Sequence, residues 1–134
     1  MAKVKQLTIS LENQPGRLAA VAQALADARV NILAFLASTA GQQGSVQVVV
    51  DNIQRARKAL EGAKFPFAEG MLEQVELPNK PGALADFAAI LAKRGMNIDA
   101  ACGSAAKGAK KSVLYFATSK RDAQAVADET IGIV

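Results

Sequence analysis

The chain has 134 residues, 51% of them apolar, with 16 basic and 12 acidic side chains for a formal charge of +4, enough material for one ordinary domain or two very small ones. It has no histidine and a single cysteine, Cys102, which excludes Ser-His and Cys-His catalysis, imidazole acid–base chemistry, histidine metal ligands, internal disulfides and cysteine-built zinc or iron–sulfur sites. Alanine supplies 28 residues and aromatics only six, so the expected core is helices packed closely on a sheet, without bulky aromatic pockets.

In chain order, Met1 to Leu7 contains no apolar run of signal-peptide type, and no stretch approaches the roughly 18 apolar residues of a membrane span. A reduced, cytoplasmic setting is the expectation. Val4, Gln6, Thr8 and Ser10 alternate with Lys5, Leu7, Ile9 and Leu11, which predicts a half-buried strand. Pro15-Gly16 breaks it. Leu18, Val21, Ala22 and Leu25 then fall on one helical stripe, closed by Asp27-Ala28-Arg29 with a basic residue at the C-terminal end. A strand over 30–39, a Gly-containing turn over 40–44 and a strand over 45–50 follow. Asp51 or Asn52 reads as the N-cap of a second helix that carries Arg55, Arg57 and Lys58 on its exposed face, and a short strand over 65–70 ends the series.

The series then begins again. Met71 to Leu77 alternates, Pro81-Gly82 breaks the strand, and Leu84, Phe87, Ala88 and Leu91 form a second stripe closed by Lys93-Arg94-Gly95. Strands over 96–103 and 112–117 flank a turn over 104–111, Thr118 or Ser119 is the expected N-cap of another helix, and a strand over 130–134 is last. The repetition is literal at an offset of 66: Asn13-Gln14-Pro15-Gly16-Arg17-Leu18 maps onto Asn79-Lys80-Pro81-Gly82-Ala83-Leu84, Leu25 onto Leu91, and Val30-Asn31-Ile32 onto Met96-Asn97-Ile98. At an offset of 67, Val46, Val48 and Val50 map onto Val113, Tyr115 and Ala117. Each half thus reads β-α-β-β-α-β, the ferredoxin-like split unit, which makes the chain an α+β protein of two repeats, 1–70 and 71–134, each an antiparallel sheet with helices on one face. A half of about 65 residues buries roughly 60% of its unfolded surface and is marginal alone. The halves are therefore expected to pack together, by helices side by side or sheets edge to edge. Phe65 to Gly70, too short and apolar for a free linker, is the candidate boundary.

The chemistry is concentrated in the Asn-x-Pro-Gly-x-Leu loops. Proline fixes φ and removes a donor, glycine permits positive φ and close approach, and the unpaired N–H groups of a helix N-terminus come next, so such a turn can hold a carboxylate with backbone donors. The plain alternative is a tight strand-to-helix turn with asparagine as a cap. Asn31 and Asn97 each open a strand just after the first helix of their repeat, where an amide can serve a carboxylate or an ammonium group, or simply tolerate a turn conformation. Loop and asparagine recur together at identical separation.

These residues, Asn13 to Leu18 with Val30-Asn31-Ile32 and the matching second set, resemble the ACT domain, the small ligand-sensing module attached to amino-acid biosynthetic enzymes and regulators. The resemblance covers nearly the whole chain as two copies, without the catalytic domain of the commonest family arrangement. It implies paired ACT units holding a small effector, usually an amino acid, at their interface. One half-site would comprise Asn13, Gln14, Pro15, Gly16, Arg17 and Leu18 with Asn31 and Ile32. The other would comprise Asn79, Lys80, Pro81, Gly82, Ala83 and Leu84 with Asn97 and Ile98. Backbone N–H groups would take the carboxylate, and the asparagine amides would orient the ligand. The copies differ, with Arg17 against Ala83, Lys80 against Gln14, and Pro78 stiffening the second loop. The walls around Phe35-Leu36-Ala37 and Ala101-Cys102-Gly103 are expected to set side-chain preference.

The function expected is a non-catalytic regulatory protein that binds an amino acid without metal or cofactor, pairs as a homodimer, and acts on a metabolic enzyme or regulator. The alternative is a ligand-free assembly module. An RNA-binding module of the same strand order would carry stacking aromatics on its central strands, and Ser45 to Val50 has none; a metallochaperone would need paired Cys or His. The basic run Lys107-Gly108-Ala109-Lys110-Lys111 sits in a turn and reads as a solvated tip, and Cys102 reads as a packing residue or part of the second pocket's wall.

Overall fold

The computed structural model describes residues 2–120, with six strands and three helices among them. The elements are β1 (Ala2–Glu12), α1 (Arg17–Asp27), β2 (Ile32–Ala40), β3 (Gln43–Val50), α2 (Ile53–Gly62), β4 (Phe67–Pro78), α3 (Ala83–Lys93), β5 (Met96–Ser104) and β6 (Lys111–Lys120). The chain divides into two compact units, Val4–Met71 and a second built from Leu72 onward together with the first three residues.

In the first unit the strand order is β2-β3-β1-β4. The alternation in β1 does what its period dictates: Leu7, Ile9 and Leu11 are buried, and the antiparallel register sets Leu7 against Val48 and Ile9 against Val46. Phe35 and Ala37 of β2 stand opposite Val48 and Val46 in turn. That apolar face meets Val21 and Leu25 of α1 and Ala56 and Leu60 of α2, so both helices cover one side of the sheet. Asn52 caps α2, its Oδ1 accepting from the Arg55 N–H at 3.0 Å. β4 enters beside β1, where the Ser10 N–H donates to the Pro66 carbonyl at 3.0 Å. In the second unit β6 pairs antiparallel with both β4 and β5, with Val75 opposite Leu114 and Ala101 opposite Phe116. Leu91, Ile98, Leu114 and Phe116 form its core, and the Phe87 ring meets the Phe116 ring edge-on at 5.2 Å.

Several elements differ from expectation. The strands predicted over 65–70 and from Met71 to Leu77 are one continuous strand, β4, because Gly70 is the only turn-forming residue between Phe67 and Leu77 and turns nothing by itself. Its missing Cβ instead accommodates the Gln6 side chain, whose Nε2 lies 3.2 Å from where a Cβ would stand. The turn predicted over 40–44 is just Gly41-Gln42, since Ala40 already pairs with Gln43. β6 runs through Thr118 and Ser119 to Lys120, so neither caps a helix; the helix and the 130–134 strand expected beyond lie outside the described residues. Arg55 and Lys58 are exposed as expected, but Arg57 is half-buried and pairs with Glu69 of β4, Nε lying 2.8 Å from Oε1. The first residue of each helical stripe leaves the core, with Leu18 44% and Leu84 60% exposed.

Two helix ends carry strain. After α1 the Val30 N–H donates to the Leu25 carbonyl at 2.9 Å, and after α2 the Phe65 N–H donates to Leu60 at 2.9 Å, each through a left-handed residue, Arg29 at φ 59° and Lys64 at φ 61°. The repeat has Gly95, at φ 70°, where the first copy has Arg29. Arg29→Gly and Lys64→Gly are therefore each expected to stabilise the chain by about 0.5–1 kcal/mol, less the entropy a glycine adds to the unfolded state. Urea denaturation reads this directly, and a fall in midpoint for both variants would contradict it.

Candidate functional site

Each strand-to-helix turn is built the same way. Gly16 adopts φ 87° and Gly82 φ 88°, a left-handed conformation that puts the first N–H groups of α1 and α3 at the mouth of the turn. Neither helix has a side-chain cap. The Arg17 and Ala83 N–H groups donate at 3.4 and 3.3 Å to the Gln14 and Lys80 carbonyls, while those of Leu18, Ala19, Leu84 and Ala85 have no backbone acceptor among the described residues. A Cβ placed on Gly16 or Gly82 would meet nothing within 4 Å, so the glycines are required by φ and the space above them is open. Open donors at the positive end of an 11-residue helix are suited to a carboxylate.

The loop asparagines have a different task. Asn13 donates its N–H to the Gln42 carbonyl and its Nδ2 to the Gly41 carbonyl, both at 2.8 Å, and so ties the β2–β3 hairpin tip to the turn. Asn79 repeats the arrangement on the loop before β6, with its N–H on the Lys110 carbonyl at 2.9 Å and Nδ2 on Ala109 at 2.8 Å. One Nδ2–H of each loop asparagine is thus used in shaping the turn.

A cavity adjoins each turn, and the two are unequal. In the first unit it measures about 280 Å³ and is lined by Asn13, Gln14, Arg17 and Leu18 together with Glu12, Ser38 and Thr39 among others. A smaller-walled polar recess of about 500 Å³ between Glu12, Asn13, Gln14, Gln42 and Gln43 lies beside the same loop. In the second unit a cavity of about 760 Å³ is lined by Asn79, Lys80, Ala83, Leu84 and Ile98, and by Ala101, Cys102 and Gly103. Arg17, where the second copy has Ala83, lays its guanidinium carbon 5.3 Å from the Phe65 ring centroid and buries Nε without a hydrogen-bond partner. The wall residues Ala101, Cys102 and Gly103 thus meet the larger cavity, and of Phe35, Leu36 and Ala37 only Ala37 meets the smaller one.

Within a unit the conserved-looking pair of loop and asparagine is not brought together. Ile32 pairs with Val50 and Ala40 with Gln43, so roughly 26 Å of strand, at about 3.3 Å per residue, separates Ile32 from the hairpin tip that Asn13 holds. The Asn31 backbone is fixed to Asp51, its N–H donating to Asp51 Oδ1 at 2.9 Å. Asn97 donates Nδ2 to Asp99 Oδ1 at 2.9 Å, which also accepts from Ser119 Oγ at 3.0 Å. Both copies carry a bulge here, between Ile32 and Ala34 and between Ile98 and Ala100, so Leu33 and Asp99 are the extra residues. Pro15, Gly16, Asn31 and Ile32, like Pro81, Gly82 and Asn97, line neither cavity, whereas Ile98 reaches the larger one. The sequence reading passed over Ala85, Ala88, Ser104 and Ser112 of that cavity; their positions opposite Leu84 and Cys102 follow only from the packing of α3 on β5 and β6. Lys107, Gly108 and Lys110 are exposed, and Lys111 makes a surface pair with Glu76 at 3.5 Å. Among the described residues no cluster of His, Cys, Asp and Glu is arranged to hold a metal, and no helix is long and apolar enough to cross a membrane.

The family model described as ACT domain matches residues 5–61 and 71–130. Protein BT0572 of Bacteroides thetaiotaomicron is similar in structure, with a TM-score of 0.82 and 27% identity over 94% of this chain and 85% of that one. The ligand-free regulatory subunit of aspartate kinase from Thermus thermophilus superposes with a TM-score of 0.65 at 20% identity, covering 85% and 82% of the two chains. The corresponding subunit from Thermus flavus gives 0.55 and 22%, over 86% and 85%. No curated protein matches the chain in sequence.

Proposed function

The chain belongs to the ACT domain family, and on that ground we propose that it is a non-catalytic, cytoplasmic regulatory protein that binds a small effector, an amino acid, at an interface between ACT-like domains, pairing with a second copy of itself. The observation that carries this reading is the repeated turn. A left-handed glycine opens an uncapped helix N-terminus onto a cavity in each unit, which supplies backbone donors for a carboxylate. The likeness in fold to regulatory subunits of aspartate kinase supports a partner of the same kind, a metabolic enzyme whose state follows the effector. For such control the effector must bind one state of the assembly better than the other.

A ligand-free assembly module is the second reading, and the edge of the first unit favours it: β2 exposes Leu33, Phe35 and Leu36 on an outer strand, a surface suited to a second chain. Thermal melts against the twenty amino acids separate the two. An effector at about 100 times its dissociation constant adds roughly 2.7 kcal/mol, several degrees for a chain of this size. Neither Asn31 nor Asn97 lines the cavity of its own unit, so Asn31→Ala and Asn97→Ala are expected to weaken that shift only where pairing with a second copy brings them to a turn, and to leave the unliganded melting temperature nearly unchanged, since both side chains are at most half-buried. A flat panel leaves the assembly reading standing.

A further inference from the structure

We infer that the effector site of the second unit accepts an amino acid with a bulky aliphatic or aromatic side chain, and that the first unit does not take the same ligand. This rests on the amino-acid-binding reading above and names the ligand class for one of its sites. The 760 Å³ cavity lies within the range that encloses small molecules, whereas the first unit divides the space beside its turn between a 280 Å³ cavity at the lower edge of that range and a 500 Å³ recess walled by Glu12, Asn13, Gln14, Gln42 and Gln43. The difference follows from the residues. Where the second unit has Ala83 the first has Arg17, which stands in the wall of the smaller cavity; Phe35 and Leu36, at the positions of Ala101 and Cys102, are exposed and do not line it. The abundance of alanine that thins the core elsewhere leaves room here, between α3 and the sheet.

The lining selects the side chain. Leu77, Leu84, Ala88, Ile98, Val113 and Leu114 present hydrocarbon, and among the described residues no acidic side chain lines the cavity. A cationic effector side chain would meet Lys80 at the loop, and a polar side chain would lose water to a wall that is mainly hydrocarbon, with Asn79, Ser104 and Ser112 its polar members. An aliphatic or aromatic side chain gains on entry, while Lys80 and the open N–H groups of Leu84 and Ala85 stay beside the α-carboxylate. The first cavity is mixed, with the charged Glu12 and Arg17 and the polar Gln14, Ser38 and Thr39 beside Leu11, Leu18, Ala37 and Val46.

Titration calorimetry of the full chain with leucine, methionine and phenylalanine, beside aspartate, lysine, serine and glycine, tests this. At least one of the first three is expected to bind tenfold or more tightly than any of the last four, at one site per chain. Ala88→Leu, which fills the cavity from the helix, and Ala101→Leu, which fills it from an exposed strand position and so spares the fold, are each expected to weaken that binding thirtyfold or more. Tightest binding by aspartate, lysine, serine or glycine overturns the inference and leaves amino-acid sensing intact, as does unchanged affinity in both variants. No binding by any of the twenty amino acids overturns the sensing reading itself and this inference with it.

Discussion

Phe116→Ala is expected to destabilise the second unit by about 3–5 kcal/mol, the range for truncating a fully buried phenylalanine. Phe116 is completely buried, stands between Glu73 of β4 and Ala101 of β5 in the register, and receives the edge of the Phe87 ring. Its loss removes that aromatic pair and leaves a void among Leu91, Ile98, Leu114 and Phe87 that their side chains cannot fully close. A domain near 65 residues has a total stability of only about 3–10 kcal/mol at ordinary values per residue, so the change takes most of what is there. Phe35→Ala, the same substitution in another strand, is expected to change stability by less than about 0.5 kcal/mol, because Phe35 is 59% exposed on an outer strand. Urea denaturation with hydrogen exchange followed across α3, β5 and β6 distinguishes the two. A loss below about 1.5 kcal/mol at Phe116 would mean that the core of this unit repacks freely.

That contrast marks where sequence reasoning reaches. Phe35 and Phe116 both sit in apolar, strand-forming stretches, and only the sheet order says that one strand is central and the other at an edge. The elements that were legible are those whose causes are local: the period-two run from Lys5 to Leu11, the helical stripes, and the Asn52 cap, whose acceptor and donor are three residues apart. The repeat was legible because it repeats turn chemistry, and it carried the family with it. The ties of the loop asparagines to the hairpin loops are not legible in the sequence, because their partners lie 28 and 30 residues away, a contact no window of sequence displays. The separation of Asn31 from the Asn13 loop was, by contrast, open to derivation. An 11-residue helix spans roughly 16 Å, so a residue just past its end cannot share a small site, within one unit, with the turn at its start. The wall of the larger cavity at Ala101, Cys102 and Gly103 was legible, but its size was not, since its volume comes from small residues facing each other across α3 and β5.

Substitutions at Gly82 are expected to grade by backbone tolerance alone. Because a Cβ there meets nothing within 4 Å while φ is 88°, there is no steric penalty to confuse with the conformational one. Asparagine, which visits the left-handed region readily, is expected to bind effector nearly as well as glycine. Alanine should lose about 1–2 kcal/mol of turn stability, and valine more, its branched Cβ crowding the following carbonyl. Where the strain exceeds what the turn's own bonds return, chiefly the Asn79 strap and the weak 3.3 Å bond from Ala83 to Lys80, the turn changes conformation and α3 starts elsewhere. The Leu84 and Ala85 N–H groups then no longer converge on one carboxylate. Charge-assisted bonds of about 1.5–3 kcal/mol each are at stake, so two of them lost correspond to a weakening of a hundredfold or more in Gly82→Val. Titrating the tightest-binding amino acid of the panel into the four proteins, each at a temperature below its own melting point, gives the order. Glycine, asparagine, alanine, valine is the order that conformation demands. Equal losses for asparagine and valine would show instead that the ligand needs the bare Cα itself, with a contact closer than a methyl group allows.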